Sequence, residues 1–319
     1  MSLSRRQFTT GLALGASSFT SAAAFAKAPM QSQVAPIYRT KVGDLQVTAI
    51  ADGYLDLEMK LFPFAAQSPQ ATAKLLAAAR VRDPVRTFVN AYVVNTGSKL
   101  ILIDTGTGNA MGPSLGALQK NLAAAGFKPE DVDLILLTHM HPDHVNGLPA
   151  SDGKAAFPNA ELLVSQQDWA FWMDEAIASR APADAQPFFK IARDAVKPYA
   201  GKVRQFTAPT EVSPGIQALP APGHTVGHTM YRISSGKDQL LIWGDIVHVQ
   251  ALQFARPGAS LAFDTDQSLA ASTRKRVFDM AAKDRVAVAG MHLSFPGIGY
   301  VERHAGDYAY SPVSFAPAI

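Results

Sequence analysis

Hydrophobic residues occur along the chain in short runs separated by polar turns, a pattern that predicts strands more often than long helices. Residues 87–94 predict a strand and residues 95–98 a turn. Residues 100–104 read Leu-Ile-Leu-Ile-Asp and predict a second strand, buried on both faces. Residues 132–137 predict another apolar strand, which runs directly into His139. Residues 42–57, with β-branched residues around Gly43-Asp44 and Asp52-Gly53, predict an antiparallel pair.

Helical patterns fall between these strands. Leu115, Leu118 and Leu122 mark one face of a helix that ends near Gly126. Residues 63–85 are rich in Ala and predict a short helix with loops. Residues 165–200 carry aromatic side chains among helix formers and prolines, which predicts a helical flap inserted into one domain over 27–319.

Part of the pattern occurs twice, 139 residues apart. Tyr92, Gly97 and residues 101–103 match Tyr231, Gly236 and residues 240–242. Each copy reads strand, glycine turn and apolar strand, with an aspartate near the end. Two similar sheet halves, with polar residues converging where strands end, are the hypothesis that follows.

The amino-acid composition excludes several classes of protein and several kinds of catalytic site. The 319 residues are 48% hydrophobic and 17% charged, which is typical of a globular protein and argues against disordered and coiled-coil classes. The net charge of +3 is too small to indicate nucleic-acid binding. The sequence has no Cys, which excludes disulfides, thiolate zinc sites and a catalytic cysteine. Eight histidines therefore have to carry most metal or acid–base chemistry.

The first 26 residues predict an export signal. Arg5 and Arg6 precede Phe8, a weakly apolar run follows, and Ala24-Phe25-Ala26 is a small-x-small cleavage site. The paired arginines resemble a twin-arginine signal. Cleavage would remove two basic residues and no acidic ones, lower the net charge to +1 and leave a periplasmic or secreted protein without a membrane anchor.

The strongest chemical signal is the segment 138–144, Thr-His-Met-His-Pro-Asp-His, at the end of a predicted strand. Alternate residues of an extended chain point the same way, so His139 and His141 can hold one cation together. Asp143 and His144 lie beyond Pro142, where the chain turns, and can face a second cation. Imidazole and carboxylate ligands suit zinc and its divalent neighbours.

This His-x-His-x-Asp-His pattern resembles the metallo-β-lactamase superfamily of binuclear metallohydrolases. Further elements of that family follow in order: a Gly-His-Thr element with His224, a Trp-Gly-Asp element with Asp245, and a Gly-Met-His element with His292. The resemblance implies an α/β fold, a four-layer αββα sandwich of two mixed sheets flanked by helices. It also implies that Asp104 and His228 support the ligands by hydrogen bonding.

The resemblance implies two divalent metal ions per chain, zinc by preference, with Co²⁺, Mn²⁺ or Fe²⁺ as alternatives. One would be held by His139, His141 and His224, and the other by Asp143, His144 and His292, with Asp245 bridging both. A hydroxide between the two ions would attack the substrate. The catalytic residues would be Asp245 and Asp143, the latter carrying a proton to the leaving group.

The stretches 92–100, 138–145, 156–160, 223–229 and 295–299 carry a closer similarity, to the methyl parathion hydrolase branch and its lactonase relatives, which are homodimers. It implies a substrate pocket that includes Trp172 and Phe189, with Met111 in place of an aromatic residue. His248, Leu261 and Phe263 depart from the pesticide-degrading pattern and favour a flat lactone or aryl ester over a dialkyl phosphotriester. The expected activity is therefore opening of lactones and aryl esters, with hydrolysis of organophosphate triesters as a secondary activity.

Three alternatives stay open: a primary organophosphorus hydrolase, a β-lactamase, and a non-catalytic periplasmic zinc-binding protein. The expected partners are small ester, lactone or phosphotriester substrates and a second copy of the chain. Neither a nucleic acid nor a membrane is expected as a partner after signal cleavage.

Overall fold

Two mixed β-sheets stack face to face in the computed structural model, which describes residues 33–304 and 306–319. Each sheet has seven strands in this described part. The predicted export signal, residues 1–26, lies outside the described residues. The first sheet runs in chain order: β1 (Ile37–Val42), β2 (Leu45–Leu57), β3 (Val85–Asn95), β4 (Leu100–Ile103), β5 (Leu134–Leu136), β6 (Glu161–Ser165) and β7 (Val203–Phe206).

The second sheet also runs in chain order: β8 (Thr210–Ser213), β9 (Ile216–Pro220), β10 (Thr229–Ser235), β11 (Asp238–Ile242), β12 (Ala287–Ala289), β13 (Ile298–His304) and β14 (Asp307–Pro312). Strands β4 to β7 are parallel to one another, and so are β11 and β12. The other neighbouring strands are antiparallel, which makes both sheets mixed.

The described residues form nine α-helices. They are α1 (Pro63–Gln67), α2 (Pro69–Ala78), α3 (Leu118–Ala124), α4 (Pro142–Val145), α5 (Gln166–Met173), α6 (Glu175–Arg180), α7 (Gln186–Val196), α8 (Gln250–Gln253) and α9 (Gln267–Asp284). The outer face of the first sheet is covered by α3, α5 and α7 and that of the second by α9. Helices α5, α6 and α7 occupy the segment expected to be a helical flap. No helix among the described residues has the length and apolarity needed to cross a bilayer.

Alternating side chains explain the order of the layers. In β3, Val93 points outward to the helices α3, α5 and α7, whereas Tyr92 and Val94 point inward to the second sheet. The outer face of the second sheet packs on α9, with Val277 and Phe278 against Trp243. The layers are therefore helix, sheet, sheet and helix, which confirms the predicted αββα sandwich.

The repeated pattern forms two equivalent hairpins. Tyr92 pairs with Ile103 in the first sheet, and Tyr231 pairs with Ile242 in the second. In each sheet the second strand of the hairpin has a parallel neighbour, β5 beside β4 and β12 beside β11. The two halves thus present corresponding strand ends at the same edge of the sandwich.

The antiparallel pair predicted within residues 42–57 is wrong, because residues 45–57 form the single strand β2, which pairs with β1. Gly43-Asp44 forms the turn between β1 and β2, but Asp52-Gly53 lies inside β2 as a β-bulge, between Ala51 and Gly53. A Cβ at Gly53 would lie 2.1 Å from the carbonyl oxygen of Ser114, so only glycine allows this approach.

The bulge turns the Asp52 carboxylate onto the loop between β4 and α3. Asp52 is buried and accepts hydrogen bonds from the backbone N–H groups of Thr107, Gly116 and Leu118 and from the Thr107 hydroxyl, at 2.6–3.2 Å. The loop that borders the functional site is therefore anchored on the bulge.

Candidate metal centre

Strand ends of both sheets bring the predicted ligands together. His139 and His141 follow β5, and Asp143 and His144 lie in the short helix α4. From the second sheet, His224 lies in the loop before β10, Asp245 follows β11 and His292 follows β12. These side chains are buried, apart from a 14% exposed Asp143.

The predicted ligands form two groups. His139, His141 and His224 make one: His139 Nε2 lies 3.0 Å from His141 Nδ1, which lies 2.9 Å from His224 Nε2. The second group, whose ligand atoms also lie within 4.8 Å of one another, consists of Asp143, His144, Asp245 and His292.

The Asp245 carboxylate lies between the two groups. Five histidine Nε2 atoms lie 3.0–3.6 Å from its Oδ2 atom, from His139, His144, His224, His248 and His292. One carboxylate oxygen cannot accept hydrogen bonds from all five. Among the described residues, Asp245 Oδ1 and His144 Nε2 are buried without a hydrogen-bond partner.

In four of these imidazoles, the hydrogen bond made by Nδ1 determines whether Nε2, which faces Asp245, carries a hydrogen or a lone pair. Nδ1 of His144 faces Asp104 at 2.7 Å, Nδ1 of His224 faces Asp264 at 2.7 Å, and Nδ1 of His292 faces the carbonyl of Phe88 at 2.8 Å. These oxygens can only accept, so each Nδ1 carries the hydrogen and a neutral ring presents a lone pair at Nε2.

His139 follows the same rule through a hydroxyl. The Thr138 hydroxyl donates to Asp104 at 2.7 Å, so its oxygen accepts from His139 Nδ1 at 3.0 Å. Four Nε2 lone pairs therefore point at a carboxylate oxygen, an arrangement that is repulsive unless positive charge lies between them. The donor set fits divalent cations, with the outer hydrogen bonds that metal-binding histidines make.

The pKa shifts of these side chains also indicate that the site favours positive charge. Burial raises the pKa of Asp245, but His144 and His292 outweigh burial and hold that pKa well below its usual range. Burial lowers the pKa of His224, but hydrogen bonds to Asp245 and Asp264 outweigh it and raise the pKa to about 9. Protons and metal ions thus compete for the same lone pairs.

The two predicted supporting residues have clear contacts. Asp104, with a left-handed φ of 61°, accepts from the backbone N–H of Thr138 at 2.8 Å and from His144. His228 donates from Nδ1 to the Ala221 carbonyl and accepts the backbone N–H of Asp245 at Nε2, both at 3.0 Å. Burial lowers the pKa of His228 to about 3, so the ring is neutral and positions the Asp245 backbone.

Two buried aspartates escaped the sequence analysis. Asp264 orients His224, and Asp168 accepts the backbone N–H groups of Met140 and Gly227 at 2.9 Å, joining the two loops that carry His141 and His224. Neither belongs to a recognisable motif. Their local sequences do not distinguish them from exposed aspartates.

A cavity of about 160 Å³, called here the front cavity, opens directly onto the centre. Four of the six predicted pocket residues line it, together with Leu55, Leu57 and Phe188: they are Met111, His248, Leu261 and Phe263. Met111 and Phe263 are partly exposed at its mouth, whereas Leu261 is buried. Its walls are mainly apolar, and the polar atoms lie at the candidate metal centre.

The other two predicted pocket residues line a neighbouring cavity of about 560 Å³, called here the side cavity. Trp172 and Phe189 lie in its wall, mostly buried, and their ring centroids are 4.7 Å apart. His141, Phe188 and Phe263 border both cavities. Phe188, which sequence reasoning passed over in favour of Phe189, is therefore the aromatic residue between them.

His248 lies at the centre as well as in the front cavity. Its Nε2 is 3.1 Å from Asp245 Oδ2, and its ring stacks on His292 with the centroids 4.8 Å apart. Burial lowers the pKa of His248 to about 4, which leaves the ring neutral. Its Nδ1 has no hydrogen-bond partner among the described residues, unlike the other four imidazoles around Asp245.

Comparisons with known proteins agree with this geometry. A family model described as the metallo-beta-lactamase superfamily matches residues 84–292. The crystal structure of a hydrolase called AbOPH, in the beta lactamase superfamily, is 36% identical with a TM-score of 0.85, and the match covers 89% of this chain and all of that one. AidC, a dizinc quorum-quenching lactonase, is 28% identical with a TM-score of 0.83, covering 88% of this chain and 99% of that one.

A curated relative is the N-acyl homoserine lactonase of Bacillus cereus, 26% identical over 167 residues. That match covers 52% of this chain and 58% of the relative, so the chain spans less than two thirds of the relative's length. The family model alone covers well over half of the chain. The protein therefore belongs to the metallo-beta-lactamase superfamily, among its metallo-hydrolases.

Proposed function

We propose that this chain is a binuclear metal-dependent hydrolase that opens lactones and aryl esters and hydrolyses organophosphate triesters as a secondary activity. The observation that carries the proposal is the convergence of four Nε2 lone pairs on Asp245 at the base of an apolar cavity. The similarity to a dizinc lactonase and to an N-acyl homoserine lactonase supports the lactone class.

Each proposed cation would have three ligands of its own, and Asp245 would contribute to both sites. His139, His141 and His224 would hold one, and Asp143, His144 and His292 the other. Zinc is the first choice because the donors are imidazole nitrogens and carboxylate oxygens in a compact site, and Co²⁺, Mn²⁺ and Fe²⁺ accept the same donors. Two such cations would polarise the substrate oxygen and lower the pKa of water, so that hydroxide between them would be available near neutral pH.

The side chains around the centre do the remaining work. Leu55, Leu261 and Phe263 exclude water from the apolar part of the substrate, which strengthens electrostatic interactions at the centre. Asp143 is the carboxylate with some exposure to the front cavity, and it would carry a proton to the leaving group.

The side cavity would receive the apolar arm of the substrate. It shares Phe188, Phe263 and His141 with the front cavity, so a ligand with its ester group at the centre can extend an acyl or aryl group past Phe188. The resemblance to a lactonase described in complex with N-hexanoyl-homoserine fits a substrate that has such an arm.

The deciding experiment compares kcat/KM of the zinc- or cobalt-loaded protein for dihydrocoumarin, an acyl-homoserine lactone, methyl paraoxon and nitrocefin. We expect lactone and aryl ester turnover to be highest and methyl paraoxon turnover to be measurable but lower. A higher value for methyl paraoxon would make the protein a primary organophosphorus hydrolase, and a higher value for nitrocefin a β-lactamase. Tight metal binding without turnover of any of the four would favour a zinc-binding protein.

We also propose that residues 1–26 form a twin-arginine-type export signal and that the mature chain works as a homodimer in the periplasm or outside the cell. The Arg5-Arg6 pair and the Ala24-Phe25-Ala26 site support the first part. Fractionation of cells that express the full chain, compared with an Arg5→Lys, Arg6→Lys variant, tests export. Sedimentation of the mature protein tests the dimer.

A further inference from the structure

A third cavity, of about 330 Å³, lies on the other side of the stacked His248 and His292 rings and is called here the back cavity. His248 and His292 line both the front and the back cavity, so these two imidazoles form the wall between them. Outside that wall, the two cavities are lined by different residues. These two rings therefore separate the centre from the back cavity.

The lining of the back cavity is short of hydrogen-bond partners. Three of its residues have a buried polar atom with no partner among the described residues: His248 Nδ1, Gln250 Oε1 and the Tyr310 hydroxyl. An unpaired buried polar group destabilises the fold, a cost that water removes when it fits. At ~30 Å³ per molecule the cavity has room for about ten waters.

The backbone of His248 is fixed while the outer edge of its ring is not. Gln253 Oε1 accepts the backbone N–H groups of His248 and Val249 at 2.6 and 3.0 Å, and the Thr87 hydroxyl donates to the His248 carbonyl at 3.0 Å. The ring is held between Asp245 and the back cavity, but the protein supplies no acceptor or donor for Nδ1 among the described residues.

We propose that the back cavity is a water-binding site and a second access route, which delivers water to the centre past His248 while substrate or product fills the front cavity. The Asp245 carboxylate oxygen, 3.1 Å from Nε2, can only accept, so the neutral ring carries its hydrogen on Nε2 and a water in the back cavity donates to Nδ1. In this arrangement His248 acts as a positioning residue for Asp245.

The route matters because hydrolysis consumes one water for each ester bond. This part of the inference rests on the proposed function. With the front cavity occupied by product, water that arrives from the back can replace the product at the centre and speed its release. Product release limits turnover in many hydrolases, so the effect belongs in kcat more than in kcat/KM.

The first test is a crystal structure of the metal-loaded protein without substrate, at a resolution that shows ordered water. We expect a chain of waters in the back cavity, with one within 3.2 Å of His248 Nδ1. A dry cavity, or a protein group that rotates onto Nδ1, would overturn the inference. This result does not depend on which substrate the enzyme prefers, so it is separable from a failure of the proposed function.

The second test blocks the cavity with Ala309→Phe. Ala309 lies on β14 and lines the cavity, and Ser311→Phe, two residues along the same strand and outside the lining, is the matched control. With the best substrate of the panel, we expect Ala309→Phe to lower kcat about fivefold, with kcat/KM within about twofold of the parent enzyme. Equal kcat values for the two variants, or a parallel fall in kcat and kcat/KM, would refute the access route.

Discussion

The hydrogen bond on the far side of an imidazole decides whether its near nitrogen can bind a cation. Asp264 holds His224 in this way at 2.7 Å, and the buried Arg274 guanidinium lies 3.9 Å from the same carboxylate. The role of Asp264 is therefore to fix the tautomer and orientation of a proposed ligand that it does not replace.

Asp264→Asn tests this role. The amide keeps the shape of the side chain but weakens the hold on Nδ1, so we expect metal affinity at the centre to fall about 10- to 100-fold. Competition with a chromophoric chelator measures the affinity. Asp238→Asn, on an exposed strand end, is the control and should match the parent protein. Equal affinities for all three proteins would show that Asp264 does not orient His224.

Metal affinity should also depend on pH in a defined direction. His224 has a pKa raised to about 9, so below that pH it is protonated when no cation is bound, and binding must release the proton. The pKa values of His144 and His292 are raised as well, so we expect the apparent Kd for zinc to fall at least tenfold for each pH unit between pH 6 and 8. Chelator competition at several pH values measures this, and a Kd independent of pH would contradict it.

His248 is the residue at which the substrate preference can be changed. Its Nε2 lies in the front cavity beside Asp245, where an alkyl group would favour a dialkyl phosphotriester over a flat lactone. We expect His248→Leu to raise the ratio of methyl paraoxon to dihydrocoumarin kcat/KM about tenfold. His304→Leu, on the exposed end of β13, is the control. An unchanged ratio would remove His248 from the specificity argument.

The proposed ligands could be predicted from the sequence because each lies in a short motif at the end of a strand. Asp168 and Asp264 could not, because a buried aspartate that accepts backbone N–H groups or orients a histidine has the same local sequence as an exposed one. The tautomer of His248 was also beyond prediction, since it depends on the groups that meet it from distant elements.

Among the elements, β2 shows how one extra residue places a functional loop. The bulge at Asp52-Gly53 directs the Asp52 carboxylate onto the loop between β4 and α3, which carries Met111 at the mouth of the front cavity. The sequence pattern of this stretch predicted an antiparallel pair, but a strand with a bulge and a strand with a turn have similar local patterns. Only the pairing with β3 distinguishes them.

Asp52→Ala should loosen that loop. The change leaves the buried N–H groups of Thr107 and Leu118 without their acceptor, and we expect the free energy of unfolding to fall by about 3 kcal/mol. Urea denaturation measures the loss, and amide exchange should rise in residues 105–117. Asp56→Ala, in the same strand with an exposed 3.3 Å contact to Arg86, should cost less than about 1 kcal/mol. Equal losses would show that Asp52 does not anchor the loop.

At the scale of the whole molecule, the candidate centre lies where the two sheets meet. His139, His141, Asp143 and His144 come from the first sheet, and His224, Asp245 and His292 from the second. The family resemblance predicted the layers and this convergence. It could not predict the three separate cavities, because their walls come from loops and helices whose packing the motifs do not specify.

Metal removal should therefore destabilise the whole domain. Cations that bind only the folded state add about 4 kcal/mol when free metal is a thousandfold above Kd. We expect a chelator to abolish turnover and lower Tm, and zinc to restore both. Calorimetry and activity on the same samples measure this. Retention of full activity by the metal-free protein would rule out the proposed function.

Because the proposed ligands come from both sheets, metal binding depends on the correct assembly of the two sheets. A chain in which only one sheet has formed, or in which the two have docked out of register, offers at most part of the donor set and keeps its metal poorly. Metal content per chain then reports the fraction of correctly assembled molecules. Only those molecules can catalyse the reaction. An enzyme built in this way is active only after both sheets have formed and docked correctly.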